Sequence, residues 1–244
     1  MKFVKYNVCH ADYIVCDDIA GETTARSLCD RHAGVGGYGV VFVRQNPFRA
    51  RVIRPDGSEG RDVSALACAA AYFCEACGTP KISIIANGGI IEAALVGGEV
   101  SVSLPKIKCD MNVRRADIRR PIEYIRLSAG ESMRAVCPVD DVYGAILFGQ
   151  GEALSKYLSS SLAYDVDISK IGSSGEIEVK SYEKGVGYIT SALGAYAAAH
   201  VLNSLGKCKN DVLIRTESGR MSISLGEKPT AKMTVSKILS GEIY

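Results

Sequence analysis

The pattern of apolar and polar positions changes period several times along the chain, and each change predicts an element. Residues 1–16 read as a strand, a loop and a second strand. Residues 23–32 read as a short helix, with Thr23 or Thr24 as its cap and Gly34 just past its end. Gly36-Gly37-Tyr38-Gly39 is a turn before the apolar run Val40-Val41-Phe42-Val43. Residues 51–54 are strand-like and lead into Pro55-Asp56-Gly57, a turn in which proline presets φ and glycine accepts a positive one. The stretch Val63–Cys77 is apolar on nearly every helical face, which predicts a helix buried all round. Residues 82–104 give three short strands, separated by Asn87-Gly88-Gly89 and Gly97-Gly98.

The second half repeats this series. Residues 178–182 are strand-like, Lys184-Gly185-Val186-Gly187 is a glycine turn, and residues 191–205 form an alanine-rich helix that stops at Gly206. Strands over 212–215 and 221–225 follow, split by Ser218-Gly219. At an offset of 127, Val52 matches Val179, Gly60 matches Gly187, and Ser64-Ala65-Leu66 matches Ser191-Ala192-Leu193. An internal duplication is therefore expected. The fold class it implies is α+β: two pseudo-symmetric domains, each a curved antiparallel sheet or barrel around one central buried helix. Both helices leave backbone N–H groups unpaired at their N-termini, so a cleft between the domains is expected to hold an anion such as a carboxylate. A proton on that ligand's α-carbon becomes more acidic there.

Composition narrows the function classes. With Lys+Arg at 29 and Asp+Glu at 27 the formal charge is only +2, which predicts no nucleic acid or anionic lipid partner. Apolar residues at 47% and charged residues at 23% are ordinary for a globular protein and exclude general disorder. No apolar run is long enough for a membrane span, and Lys2 and Lys5 interrupt any leader-like core. Nine irregularly spaced cysteines argue against a disulfide framework and for a cytoplasmic setting. Cys74-Glu75-Ala76-Cys77 lacks the second pair that a zinc site needs, and His10, His32 and His200 do not supply one. Neither metal nor cofactor is expected; Cys68, Cys74 and Cys77 read as small core residues.

Several segments resemble diaminopimelate epimerase. They are Met1-Lys2-Phe3-Val4-Lys5, Ala25-Arg26-Ser27-Leu28-Cys29-Asp30-Arg31-His32 through Gly39, Pro55-Asp56-Gly57-Ser58-Glu59 and Glu183-Lys184-Gly185-Val186-Gly187. They run in order along nearly the whole chain, and the tail over 229–243 resembles the family's last strand, which returns to the first domain. The resemblance extends to the wider superfamily of proline racemases and the phenazine-biosynthesis isomerase. It implies domains over 1–113 with 230–244 and over 114–229, and cofactor-free proton transfer beside a carboxylate. Homodimers are common in the family, which makes a homodimer an expectation here.

In that family a cysteine at the N-terminus of each central helix does the chemistry. Where the family has Cys-Gly-Asn-Gly this chain has Val63-Ser64-Ala65-Leu66, and where it has Cys-Gly-Thr-Gly this chain has Ala192-Leu193-Gly194-Ala195. The aligned catalytic positions are Val63 and Ala192, and neither side chain titrates. The family's substrate asparagine in His-Gly-Leu-Gly-Asn-Asp-Phe is Ala11, within Asn7-Val8-Cys9-His10-Ala11-Asp12-Tyr13. Arg54 replaces the asparagine before the Asp-Gly turn, Glu131 replaces the one in Met-Gly-Asn-Pro-His, and Glu183-Lys184 keeps the charges of Glu-Arg without the guanidinium fork. The resemblance thus assigns ligand contacts to Ala11, Arg54, Ser64, Ala65, Glu131, Glu183, Lys184, Leu193 and Gly194. Candidates for replacement chemistry are Asp62, beside Val63; His10, in the loop that lines the family's cleft; and Tyr196, one turn into the second helix. Bland roles compete with each: helix cap for Asp62, surface residue for His10, core packing for Tyr196, solvation for Arg54 and Lys184. Two readings follow. One is a divergent isomerase moving the α-proton of a small amino acid or related carboxylate without the two-cysteine mechanism. The other is an inactive pseudoenzyme that binds a small acid, a peptide or a protein.

Overall fold

A computed structural model describes residues 1–17, 22–86, 89–159, 163–216 and 219–243. The expected turn residues Asn87, Gly88 and Ser218 lie outside them. The chain divides into two compact units, Met1–Ser103 with Lys232–Tyr244, and Leu104–Ala231.

In the first unit, β1 (Lys2–Val8) and β2 (Ala11–Cys16) are an antiparallel hairpin. Helix α1 (Glu22–Cys29) carries the chain to β3 (Gly39–Arg44), which runs parallel to β2. Then come β4 (Arg49–Ile53), the short β5 (Glu59–Gly60), helix α2 (Val63–Cys77), β6 (Lys81–Ala86), β7 (Gly89–Val96) and β8 (Glu99–Ser103). The last strand, β17 (Thr230–Glu242), pairs with both β1 and β8. The pairings β1–β2–β3–β4–β6–β7–β8–β17–β1 therefore close an eight-stranded barrel. Helix α2 packs against seven of these strands, from β1 to β8 without β5. That position explains its composition. Every residue from Val63 to Ala71 is buried, so no face can be polar.

The second unit contains β9 (Ile107–Ala116), β10 (Ile122–Ala129), β11 (Ser132–Pro138), α3 (Val142–Leu147), α4 (Gln150–Leu158), β12 (Asp165–Ile171), β13 (Ile177–Glu183), β14 (Gly187–Ile189), α5 (Ala192–Ser204), β15 (Asp211–Thr216) and β16 (Gly219–Ser224). The expected boundary after residue 113 falls inside β9. Helix α5 packs against β9, β10, β11, β12, β13 and β16. The pairings run in the order found in the first unit. A hairpin β10–β11 is followed by the parallel pair β11–β12, the antiparallel pairs β12–β13 and β13–β14, the parallel pair β13–β15 and the hairpin β15–β16. Their counterparts are β1–β2, β2–β3, β3–β4, β4–β5, β4–β6 and β6–β7. The spacing is not the ungapped 127 read from the sequence. The helix caps Asp62 and Ser191 stand 129 positions apart, as do the paired residues Val52 with Gly60 and Ser181 with Ile189.

Local differences from expectation have identifiable causes. Helix α1 stops at Cys29 because the Asp30 carboxylate accepts from His32 N (2.7 Å) and Ala33 N (2.8 Å), which turns the chain. Thr23 and Thr24 lie inside that helix rather than capping it. Cys77 is exposed, unlike Cys68 and Cys74, because it ends α2 beside the left-handed Gly78.

Candidate functional site

In the first unit, local chemistry gathers at the N-terminus of α2. Asp62 is its N-cap, with Oδ1 accepting from Ser64 N at 2.9 Å. Its other oxygen accepts from the Tyr13 hydroxyl of β2, and both residues are buried. Cys9 and His10 form the two-residue turn between β1 and β2, both in the left-handed region (φ 52 and 71) that a tight hairpin of this kind needs. Cys9 points inward. Burial first, and then the Asp62 carboxylate, push its thiol up to about 12. Cys68, one turn into α2, is raised by burial and by the same neighbours, Asp62 and Cys9. Burial thus disfavours the thiolate form of both sulfurs.

The second unit answers with a charge cluster against the first turn of α5. Arg134 of β11 is 1% exposed. Its Nε and Nη2 each donate to Asp167 at 2.7 Å, a two-pronged contact, while Nη1 reaches Asp165 and Nη2 reaches Glu183, both at 3.4 Å. Ser181 Oγ donates to Asp167 at 2.7 Å. Burial lowers the affinity of Arg134 for its proton, but Asp167, Asp165 and Glu183 outweigh that and hold the guanidinium charged. Gly194 closes the cluster. A Cβ there would stand 2.0 Å from Ser181 Oγ and 2.3 Å from Asp167 Oδ1. The strand pairs make the two units comparable. Tyr13 faces Gly39 where Arg134 faces Asp165, and Val41 faces Val52 where Asp167 faces Ser181. The second unit thus has a buried ionic layer where the first has Tyr13, Gly39, Val41 and Val52.

The sequence-predicted residues distribute as follows. Asp62 and Ser64 meet at the α2 cap; Ala11 and Ala65 are buried in the same unit. His10 is exposed at its turn, and Arg54 is half-buried at the end of β4. Glu183 and Gly194 meet at Arg134, while Leu193 and Tyr196 are buried on α5, and burial raises the Tyr196 phenol. Glu131 and Lys184 are exposed in turns. Val63 and Ala192 are the first helical residues of α2 and α5, and both are buried. Sequence reasoning missed Tyr13, Arg134, Asp165 and Asp167. Only Tyr13 carried a signal: it puts a hydroxyl where the family motif has phenylalanine. Among the described residues, no group of three or more His, Cys, Asp or Glu side chains is arranged to hold a metal. No described helix is long and apolar enough to cross a membrane.

This fold is shared with racemases and phenazine-biosynthesis proteins. It superposes on a probable proline racemase from Agrobacterium radiobacter K84, solved with bound carbonate, with a TM-score of 0.81 at 11% identity, covering 100% of this chain and 92% of the other. A phenazine biosynthesis PhzC/PhzF protein from Clostridium difficile gives a TM-score of 0.67 at 13% identity, covering 100% and 99%. The sequence is 26% identical to the diaminopimelate epimerase of Methanopyrus kandleri over 258 residues, spanning 100% of this chain and 89% of that one. No family model matches. The chain is a divergent relative of the diaminopimelate epimerases, built on the epimerase and racemase fold.

Proposed function

We propose that this protein is a cofactor-independent isomerase that moves the α-proton of a small amino acid or related carboxylate, with Asp62 in place of a cysteine as the proton-transferring group. The observation that carries this reading is the buried pair of Tyr13 and Asp62 at the N-terminus of α2. Val63 occupies the position that the resemblance gives to the first thiol, and the carboxylate stands one residue away. The Tyr13 hydroxyl gives that carboxylate a proton donor within the same unit. A carboxylate can take a proton from carbon when the developing charge is stabilised, and the free N–H groups of a helix N-terminus stabilise an anionic ligand. The repeated strand pairings and the matching caps Asp62 and Ser191 support a duplicated origin, and with it the family's use of both helix ends.

The test is α-proton exchange in heavy water, followed by proton NMR over a panel of amino acids. Every isomerase of this kind must perform that half-reaction, whatever its product. Exchange is expected for at least one compound, and should fall about 100-fold or more in Asp62→Asn. Asparagine remains a good cap, so the variant keeps its fold.

The second reading, a binder without chemistry, is favoured by one specific fact: both oxygens of Asp62 are already engaged, by Ser64 N and the Tyr13 hydroxyl. It predicts no exchange with any amino acid, together with ligand-induced stabilisation of the folded protein.

A further inference from the structure

A cavity of about 510 Å³ opens in the second unit at the opposite end of α5 from Ser191. The length of α5 puts roughly 20 Å between the two ends. Its wall is made by Asp140, at the entry to α3; Ser169 and Lys170, near the end of β12; Ser173, in the β12–β13 turn; and Leu202 and Lys207, at the end of α5. Three observations distinguish it from an ordinary surface hollow. Ser169 is fully buried, on the same face of β12 as Asp165 and Asp167, yet its Oγ has no hydrogen-bond partner among the described residues. A buried hydroxyl without a partner costs on the order of 1–3 kcal/mol. Lys207 has no ion pair among the described residues, although Lys170 has Glu178 at 3.6 Å. Gly172 and Ser173 add small residues to the wall, so a ligand can approach the backbone closely.

We propose that this cavity is a second ligand site, for a small molecule that bears a phosphate or carboxylate group and at least one hydroxyl. Lys207 and Lys170 meet the anion, Ser169 and Ser173 donate hydrogen bonds, and Asp140 accepts from the ligand's hydroxyl. The assignment is independent of chemistry at Asp62.

Calorimetric titration of the full chain with inorganic phosphate and with citrate, each against chloride at matched ionic strength, tests it and separates the two anion chemistries. Saturable binding of one of them is expected, weakened at least tenfold in Lys207→Gln. Ser169→Ala gives the sharper reading. It should melt higher than the parent protein without ligand, because the orphaned hydroxyl is gone, and should gain less from the bound anion. The proposal fails if neither anion binds saturably. It fails equally if Lys207→Gln binds as well as the parent, or if Ser169→Ala melts no higher and responds to the anion unchanged. Loss of α-proton exchange in Asp62→Asn leaves each of these outcomes unaffected.

Discussion

Asp62 carries two duties at once, and substitution separates them. As a cap it satisfies Ser64 N, a donor that α2 cannot pair internally. Asp62→Ala is expected to cost about 1–2 kcal/mol in urea unfolding, while Asp62→Asn stays within a few tenths of the parent. If both variants are equally unstable, the interaction with Tyr13 dominates over capping. Asp12, in the neighbouring strand β2, is a separate case with a pH signature. Burial raises its pKa, but Arg31 (2.8 Å) and Lys5 (2.8 Å) outweigh that and hold the carboxyl below the usual carboxylate range. A folded-state pKa below the unfolded value stabilises fully above the unfolded value, about 4, and the gain is lost as pH falls through the folded one. The parent should therefore lose stability in acid more steeply than Asp12→Asn does, as read from melting temperature against pH. Parallel curves would assign no linkage to this pair.

At the scale of elements, α5 and its strands are held by an ionic layer where the matched strand positions beside α2 are Tyr13, Gly39, Val41 and Val52. Gly194→Ala is expected to break it, because the new methyl would meet Ser181 Oγ, Asp167 Oδ1 and, at 2.9 Å, Arg134 Nη2. Arg134→Leu removes the cation shared by three buried carboxylates and should destabilise by about 3–5 kcal/mol at neutral pH. Urea unfolding at neutral pH checks this; a loss under about 1 kcal/mol would show that packing, not charge, is what Arg134 supplies. This layer also explains what the sequence hid. Helix α2 could be read to its last residue, because a helix apolar on all faces has only one place to go. The alternation Asp165-Val166-Asp167-Ile168-Ser169 reads as a strand with one solvated face, yet both faces are buried. A lone arginine in Ser-Met-Arg-Ala-Val-Cys-Pro gives no hint of three acidic partners that lie 31 to 49 residues away. The resemblance named Glu183 and Gly194 as ligand contacts; their place beside Arg134 and Asp167, supplied by β11 and β12, had no signal in the sequence.

For the whole molecule, the decisive feature is that its last strand belongs to its first unit. After Leu104–Ala231 the chain returns through β17, whose residues pair with β1 from Lys2↔Glu242 to Val8↔Val235. The strand is the staple between β1 and β8, the two edges that would otherwise leave the barrel open. An open barrel would expose two rows of unpaired backbone groups and admit water to α2, a helix with no polar face to meet it. Removing residues 232–244 is thus expected to act on one unit selectively. Amides of β1, β2 and β3 should lose protection in hydrogen exchange, while those of β10 to β13, whose pairings lie wholly in the second unit, keep theirs. Equal loss in both units would mean that they fold as one cooperative body. No loss in either would mean that β1 and β8 close the barrel without their staple. The selective outcome would carry a functional corollary: Tyr13 lies on β2, so α-proton exchange through Asp62 should fall with the protection of that strand, whereas anion binding at Lys207 should survive the truncation.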